Sequence, residues 1–259
     1  MTPTKTKNVD PVGRTEMKLL ILSDIHGNWP ALQSIVNAEF DADQILCLGD
    51  LVDYGPEPAA CVAWAMQERS KARFIQGNHD WGVALRKDPR SSPPFRRLTV
   101  STQAFSIQAL TPGMLQFLRE LKPMDSFEML GKRCVACHAA PSDPLFRYLR
   151  TTQKDLENEI SVAGTPDYLF FGHTHWPLLQ RIGRTTIVNP GSVGQPKDGD
   201  IRAPYAVCED GKLELRRVAY PIEATVRAYA RTPLASSDVE SLIAVLRTGG
   251  TLPPAAVAQ

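Results

Sequence analysis

The 259-residue chain has five histidines, at positions 26, 79, 138, 173 and 175, and each lies in a polar turn that follows a short apolar run. Their neighbours are acids, amides and glycines: Asp24 and Asn28 around His26, Asn78 and Asp80 around His79, and Gly172 before His173-Thr174-His175. One further turn of the same form, Gly49-Asp50-Leu51-Val52-Asp53, has no histidine. A carboxylate at the mouth of a buried strand, with a glycine before it so that nothing bulky crowds the approach, is well placed to hold an ion. Asp50 is therefore the candidate for a carboxylate shared between two metals. Asp24, His26, Asp50, Asn78, His138, His173 and His175 form an oxygen-and-imidazole set without thiolate, which suits Mn, Fe, Zn, Ni or Co better than a zinc-cysteine structural site. Seven ligands are too many for one ion with an open position, and about right for two ions roughly 3.5–4 Å apart.

Such a pair can lower the pKa of a bridging water toward ~7, clamp phosphate oxygens and align in-line attack. It lacks a proton for the departing alkoxide. His79, directly after Asn78, can lie near the cavity without ligating and is the candidate donor. Any one of these turns alone would be ordinary turn chemistry. Five in one chain, taking in every histidine, are not.

Positioning falls to the apolar runs. Residues 18–23, 44–48, 72–75, 133–137 and 167–171 are of strand length, and each ends on one of these turns. Helices are expected after Pro30, from Glu57 or Pro58, over 98–121 with a break at Thr111-Pro112-Gly113, and over 152–162. Alternation of strand and helix predicts parallel neighbours with ligands at their carboxyl ends. Residues 124–130 with 133–137, and 178–188 about Gly183, read as hairpins, and strands near 204–208 and 212–219 close the sheets. Residues 1–16 read as a disordered tail, 17–220 as the catalytic domain, and 221–259 as a helical extension and tail. The 189–196 loop is one whose backbone could approach the site.

Composition narrows the partners. Hydrophobic content of 43% over this length supports one sizeable domain, and a formal charge of +1 offers no field for strong nucleic-acid binding. Five cysteines without framework spacing read as reduced thiols; Cys134 and Cys137 lie three apart on a strand and so point to opposite faces. No apolar run is long enough to span a membrane, and a cytoplasmic protein is expected.

Taken together and in order, Asp24-x-His26, Gly49-Asp50-x-x-Asp53, Gly77-Asn78-His79-Asp80, His138 and Gly172-His173-x-His175 resemble the motifs of the calcineurin-like metallophosphoesterases. Asn189-Pro190-Gly191-Ser192-Val193 and His138-Ala139-Ala140-Pro141 further resemble the small bacterial phosphodiesterase branch. The resemblance implies a four-layer α/β sandwich, with two mixed β-sheets packed face to face and flanked by α-helices. It implies one divalent metal on Asp24, His26, Asp50 and His175, and a second on Asp50, Asn78, His138 and His173, with manganese first among the candidate ions. His79 would be the general acid, oriented by Asp53, although Asp53 could instead cap the helix near Glu57. The implied activity is hydrolysis of a phosphoester, small molecule or nucleotide, by a metal-bridging hydroxide. Where the protein Ser/Thr phosphatases and symmetrical diadenosine tetraphosphatases of the family have an arginine, this chain has Tyr54, which favours a phosphodiester over a monoester or a dinucleotide polyphosphate. A catalytically inactive scaffold resembling the phosphoesterase-like subunit of retromer is the reading from another class. Candidate substrate contacts are Asn28, Tyr54, Arg147 and Gly191, with Arg96, Arg97 and the rest of the basic 87–97 insert as a rim and Trp29, Trp81 and Trp176 as base-stacking alternatives to core packing.

Overall fold

The computed structural model describes residues 17–250, so the expected tails over 1–16 and 251–259 lie outside the described residues. Two five-stranded mixed sheets pack against each other. The first contains β1 (Lys18–Leu22), β2 (Gln44–Cys47), β3 (Ala72–Phe74), β9 (Ala203–Glu209) and β10 (Lys212–Val218), in the order β10-β9-β1-β2-β3. The second contains β4 (Met124–Met129), β5 (Lys132–Cys137), β6 (Tyr168–Phe170), β7 (Leu178–Ile182) and β8 (Thr185–Asn189), in the order β4-β5-β6-β8-β7. In the first sheet β1, β2 and β3 run parallel, with β3 at one edge and β9 and β10 antiparallel beyond β1; in the second, β5, β6 and β8 run parallel at the centre, with β4 and β7 antiparallel at the two edges.

Alternation of side chains along the strands builds the layers. In β1, Leu19 and Ile21 face the second sheet and join Leu46, Leu48, Phe170, Val188 and Cys208 in the central core. Leu20 and Leu22 point the other way, onto α1 (Trp29–Ala38), α2 (Pro58–Gln67) and α5 (Pro112–Glu120). On the far side of the second sheet, Val135, Cys137, Leu169 and Phe171 meet Leu156 and Ile160 of α6 (Gln153–Val162). Cys134 and Cys137 thus sit on opposite faces of β5, and all five cysteines are free and buried. Among the described residues no helix is long and apolar enough to cross a membrane.

Two departures from the sequence expectation bear on the site. The turn at Asn78 opens a helix that was not expected, α3 (Asn78–Leu85), because Gly77 is extended and its amide donates to the Asp80 carboxylate three residues on. The 87–97 insert is correspondingly shorter, since α4 (Arg96–Ala109) begins at Arg96. The C-terminal helices α7 (Ile222–Tyr229) and α8 (Ser236–Thr248) do not hang free. Tyr229, Leu242, Val245 and Leu246 form one buried cluster with Tyr54, Phe95 and Leu98.

Candidate metal centre

The parallel strands β1 and β2 exit side by side, and hydrogen bonding continues past their ends. The amides of Asp24, His26 and Gly27 donate to the carbonyls of Gly49, Asp50 and Leu51 at 2.8–2.9 Å. From the second sheet, the His173 amide donates to Asp24 Oδ2 at 3.0 Å and the Gly172 amide to the His138 carbonyl at 2.8 Å. Close approach here needs glycine. A Cβ on Gly77 would lie 2.0 Å from Asp50 Oδ1, and one on Gly172 would lie 1.9 Å from Ser23 Oγ. Asp24, His26, Asp50, Asp53, His173 and His175 all take positive φ, between 47° and 66°. This is a left-handed region that Asp and His tolerate better than most side chains, and here it turns each one back toward a common point.

Two ligand groups result. Asp24, His26 and His175 converge in one, with His175 Nε2 3.3 Å from Asp24 Oδ1 and 3.2 Å from His26 Nε2. Asp50, His138 and His173 converge in the other, joined by Asn78, whose Oδ1 is 2.9 Å from His138 Nε2 and 3.1 Å from His173 Nδ1. Asp50 Oδ2 stands between the groups, 3.3 Å from His138 Nε2 and 3.7 Å from His26 Nε2. Its other oxygen accepts from the His79 amide at 2.9 Å.

The residues fit a pair of cations. The Nδ1 atoms of His26, His138 and His175 lie 2.9, 2.7 and 2.6 Å from the carbonyls of Val52, Leu48 and Gln195. A carbonyl only accepts, so each Nδ1 carries the proton and each Nε2 turns a lone pair inward. Asn78 is fixed likewise, its amide nitrogen donating to the Pro89 carbonyl at 2.7 Å. Lone pairs facing each other at 3.2 Å, beside a buried Asp24 Oδ1 that has no hydrogen-bond partner, call for a positive charge between them.

In the protein alone, protons supply part of that charge. Burial lowers His138, but Asp50 and Asp24 override it and raise it to about 9, whereas burial and the neighbouring His138 push His173 down to about 3. Burial works against ionised Asp50, yet His138, His79 and His26 hold its carboxyl well below the usual carboxylate range.

His79, in the first turn of α3, joins neither ligand group. Its Nδ1 is 2.8 Å from Asp53 Oδ2 and its ring meets that of His26 edge-on at 5.1 Å, so Nε2 is left for other contacts. Asp53 orients this histidine and does not cap α2, which Glu57 begins without a side-chain hydrogen bond.

The candidate substrate contacts fare differently. Tyr54 joins the site, its ring 4.8 Å from His26 and 5.0 Å from His79 and its hydroxyl 2.8 Å from Thr99 Oγ1. Asn28 does not, because it caps α1 and is saturated by Ala31, Thr225, Gly194 and Tyr220. Gly191 is a packing residue whose added Cβ would meet Pro177 at 2.8 Å. Arg147 pairs with Glu159 of α6 at 3.2 Å, Arg96 with Asp88, and Arg97 with Asp238. Trp29 packs on the core and Trp81 on Phe146, while Trp176 is exposed.

Asp80 has a structural part that the sequence did not assign. It accepts from the amides of Gly77, Asp50 and Leu51 at 2.8–3.0 Å, tying the β3 exit to the β2 exit. Burial and then Asp50 raise its carboxyl to about 7.

Two mixed sheets face to face, with ligand groups gathered at the strand exits, define the metallophosphoesterases. The chain belongs to the calcineurin-like phosphoesterase superfamily, whose domain model matches residues 17–210, and is a phosphoric ester hydrolase of the small bacterial and archaeal type. The solved metallophosphoesterase of Sphaerobacter thermophilus is 30% identical with a TM-score of 0.75, the match covering 91% of this chain and 100% of that one. An uncharacterized protein of Methanocaldococcus jannaschii is 32% identical over 225 residues, which are 79% of this chain and 88% of that protein. The phosphodiesterase YfcE of Escherichia coli is 26% identical over 209 residues, covering 77% and 91% respectively.

Proposed function

We propose that this protein is a dinuclear-metal phosphodiesterase with manganese as its working ion. The observation that carries the reading is the stance of Asp50 Oδ2 between two groups of inward-facing imidazoles. Asp24, His26, Asp50 and His175 would hold one divalent ion, and Asp50, Asn78, His138 and His173 the other. Bound there, such ions supply an activated water and neutralise charge on the phosphoryl oxygens.

The chain's own residues do the rest. Backbone carbonyls at Leu48, Val52 and Gln195 hold the imidazoles in their ligating tautomer. His79 delivers a proton from Nε2 to the leaving oxygen, while Asp53 keeps its Nδ1 protonated and its ring fixed. Burial lowers His79, but the Asp50 and Asp53 carboxylates hold it above the ordinary histidine value, which favours the protonated donor. Tyr54, neutral and hydrogen-bonded to Thr99, leaves the position beside His79 without charge, which favours a monoanionic diester over a dianionic monoester. The named activity of the YfcE relative supports the same choice.

The test is turnover of bis(p-nitrophenyl) phosphate against p-nitrophenyl phosphate by protein loaded with Mn, Zn, Ni or Co. Higher kcat/KM on the diester, greatest with Mn, is expected. A preference for the monoester would overturn the diester reading, and no turnover with any ion would overturn catalysis.

A further inference from the structure

Lys197 follows the loop whose Gln195 carbonyl holds His175, and it has no role in the chemistry so far described. Its side chain is half-buried, with the ammonium over the Phe95 ring at 4.6 Å from the centroid. Phe95 in turn meets Tyr54 edge-on at 6.0 Å, and Tyr54 contacts His26 and His79. The cation therefore stands on the same wall of the site as the proposed acid.

What it does not contact is as informative. The acids beside it in sequence point elsewhere: Asp198 pairs with Arg217, and Asp200 with Arg202 at 2.7 Å. Among the described residues no carboxylate pairs with Lys197. The arginines once expected to reach phosphate are engaged by Glu159, Asp88 and Asp238. A half-buried ammonium with only an aromatic face for company still has donors to satisfy.

The field agrees with the geometry. Burial lowers Lys197 to about 8, while the charges of Asp24 and Asp50 act to keep it protonated. Two parts of the chain outside the ligand turns hold it there. Phe95 comes from the start of the α4 segment, and the end of α8 closes over the loop, with the Gly199 amide donating to the Gly249 carbonyl at 2.9 Å. An added Cβ on Gly250 would lie 2.4 Å from Lys197 Cα.

We infer that Lys197 is a substrate-binding residue whose ammonium grips a non-bridging oxygen of the phosphate at the metal centre. The inference rests on the phosphoester reading above, and inorganic phosphate separates the two. Phosphate binding to Mn-loaded wild type, K197M and K197R is measured by calorimetry, with metal content and melting temperature measured on the same samples. A charge-assisted contact predicts about tenfold or more weaker phosphate binding by K197M with metal content unchanged, and binding by K197R within about threefold of wild type. The KM for the diester should rise in K197M by a larger factor than kcat falls. Phosphate affinity within twofold of wild type in K197M, or loss of metal along with affinity, overturns the inference. Should K197M not fold, K197Q reads the same quantities. If wild type hydrolyses no ester while phosphate affinity still depends on Lys197, the catalytic reading fails and the anion site stands.

Discussion

Asp50 and His79 occupy neighbouring ground and are expected to fail differently. Asp50 Oδ2 faces imidazoles of both ligand groups, so Asp50→Asn removes the negative charge common to both. Metal stoichiometry by atomic absorption should fall to near zero, and turnover with it. His79 touches the ligand set through its backbone amide, while its side chain turns to Asp53. His79→Gln should therefore retain the metal content of wild type and lose roughly 10²–10⁴ in kcat, the usual worth of a positioned proton donor. An emptied site in His79→Gln would make this histidine a ligand. All seven ligand candidates could be read from the sequence because strand, turn and polar residue recur as a unit there. Three of the four candidate substrate contacts could not. Asn28, Arg147 and Gly191 sit in suggestive places along the chain, but their partners, Thr225, Glu159 and Pro177, come from segments that sequence does not bring together.

Among the elements, α3 was hidden by its own beginning. Gly77-Asn78-His79-Asp80 carries strong turn character, and the capping interaction that converts it to a helix start uses Asp80, whose carboxylate also takes two amides from the β2 exit. No local pattern announces that second use. Asp80 therefore couples the strand exit bearing Asp50 to the helix bearing Asn78 and His79. Asp80→Ala leaves three buried amides without acceptors, each costing about 1–3 kcal/mol. The urea midpoint of the metal-free variant should drop by an amount equivalent to several kcal/mol, more than surface substitutions cause. Metal affinity should weaken as well, because Asn78 and Asp50 lose their common strut. The strands themselves were legible throughout, since unbroken apolar runs such as Leu19–Leu22 are buried on both faces and need no long-range information to be recognised.

Across the whole molecule, helix and sheet layers are also joined at a distance from the site. Glu39, just past α1 and 6% exposed, accepts from Lys18 of β1 at 2.6 Å, Tyr205 of β9 at 2.9 Å and Arg216 of β10 at 3.1 Å. Burial alone would raise its carboxyl, but these three donors hold it below its ordinary value near 4.5. Burial likewise works against charged Lys18, yet Asp41 and Glu39 raise it above 10.5. A depressed acid stabilises the fold above its unfolded pKa and loses that contribution as pH falls through the folded one; a raised lysine behaves in the opposite sense at the alkaline end. The stability difference between wild type and Glu39→Gln should thus be full between about pH 5 and 10 and shrink on acidification below about 4.5. Equilibrium urea denaturation at pH 7 and pH 4 checks this, and a gap that widens at pH 4 would contradict it.

The C-terminal helices raise the larger question of where the working unit ends, because the superfamily model stops at residue 210 while the wall of the site does not. Tyr54, which lines that wall, is backed by Tyr229, whose hydroxyl donates to its carbonyl at 2.9 Å, and by Leu242, Val245 and Leu246 of α8. These three α8 side chains are at most 4% exposed. At roughly 1.5–3 kcal/mol for each, their burial is worth on the order of 5 kcal/mol. A chain ending at Leu234 should therefore melt about 10 °C or more below the full protein, by differential scanning calorimetry with metals bound. It would also uncover the apolar face of Phe95 and Leu98. Because the ligand turns draw on none of these residues, the truncated chain should still take up metal, while kcat/KM falls through the loosened Tyr54 beside His26 and His79. Melting within 2 °C of the full chain, with kcat/KM unchanged, would make α8 an appendage and would leave the site complete without it.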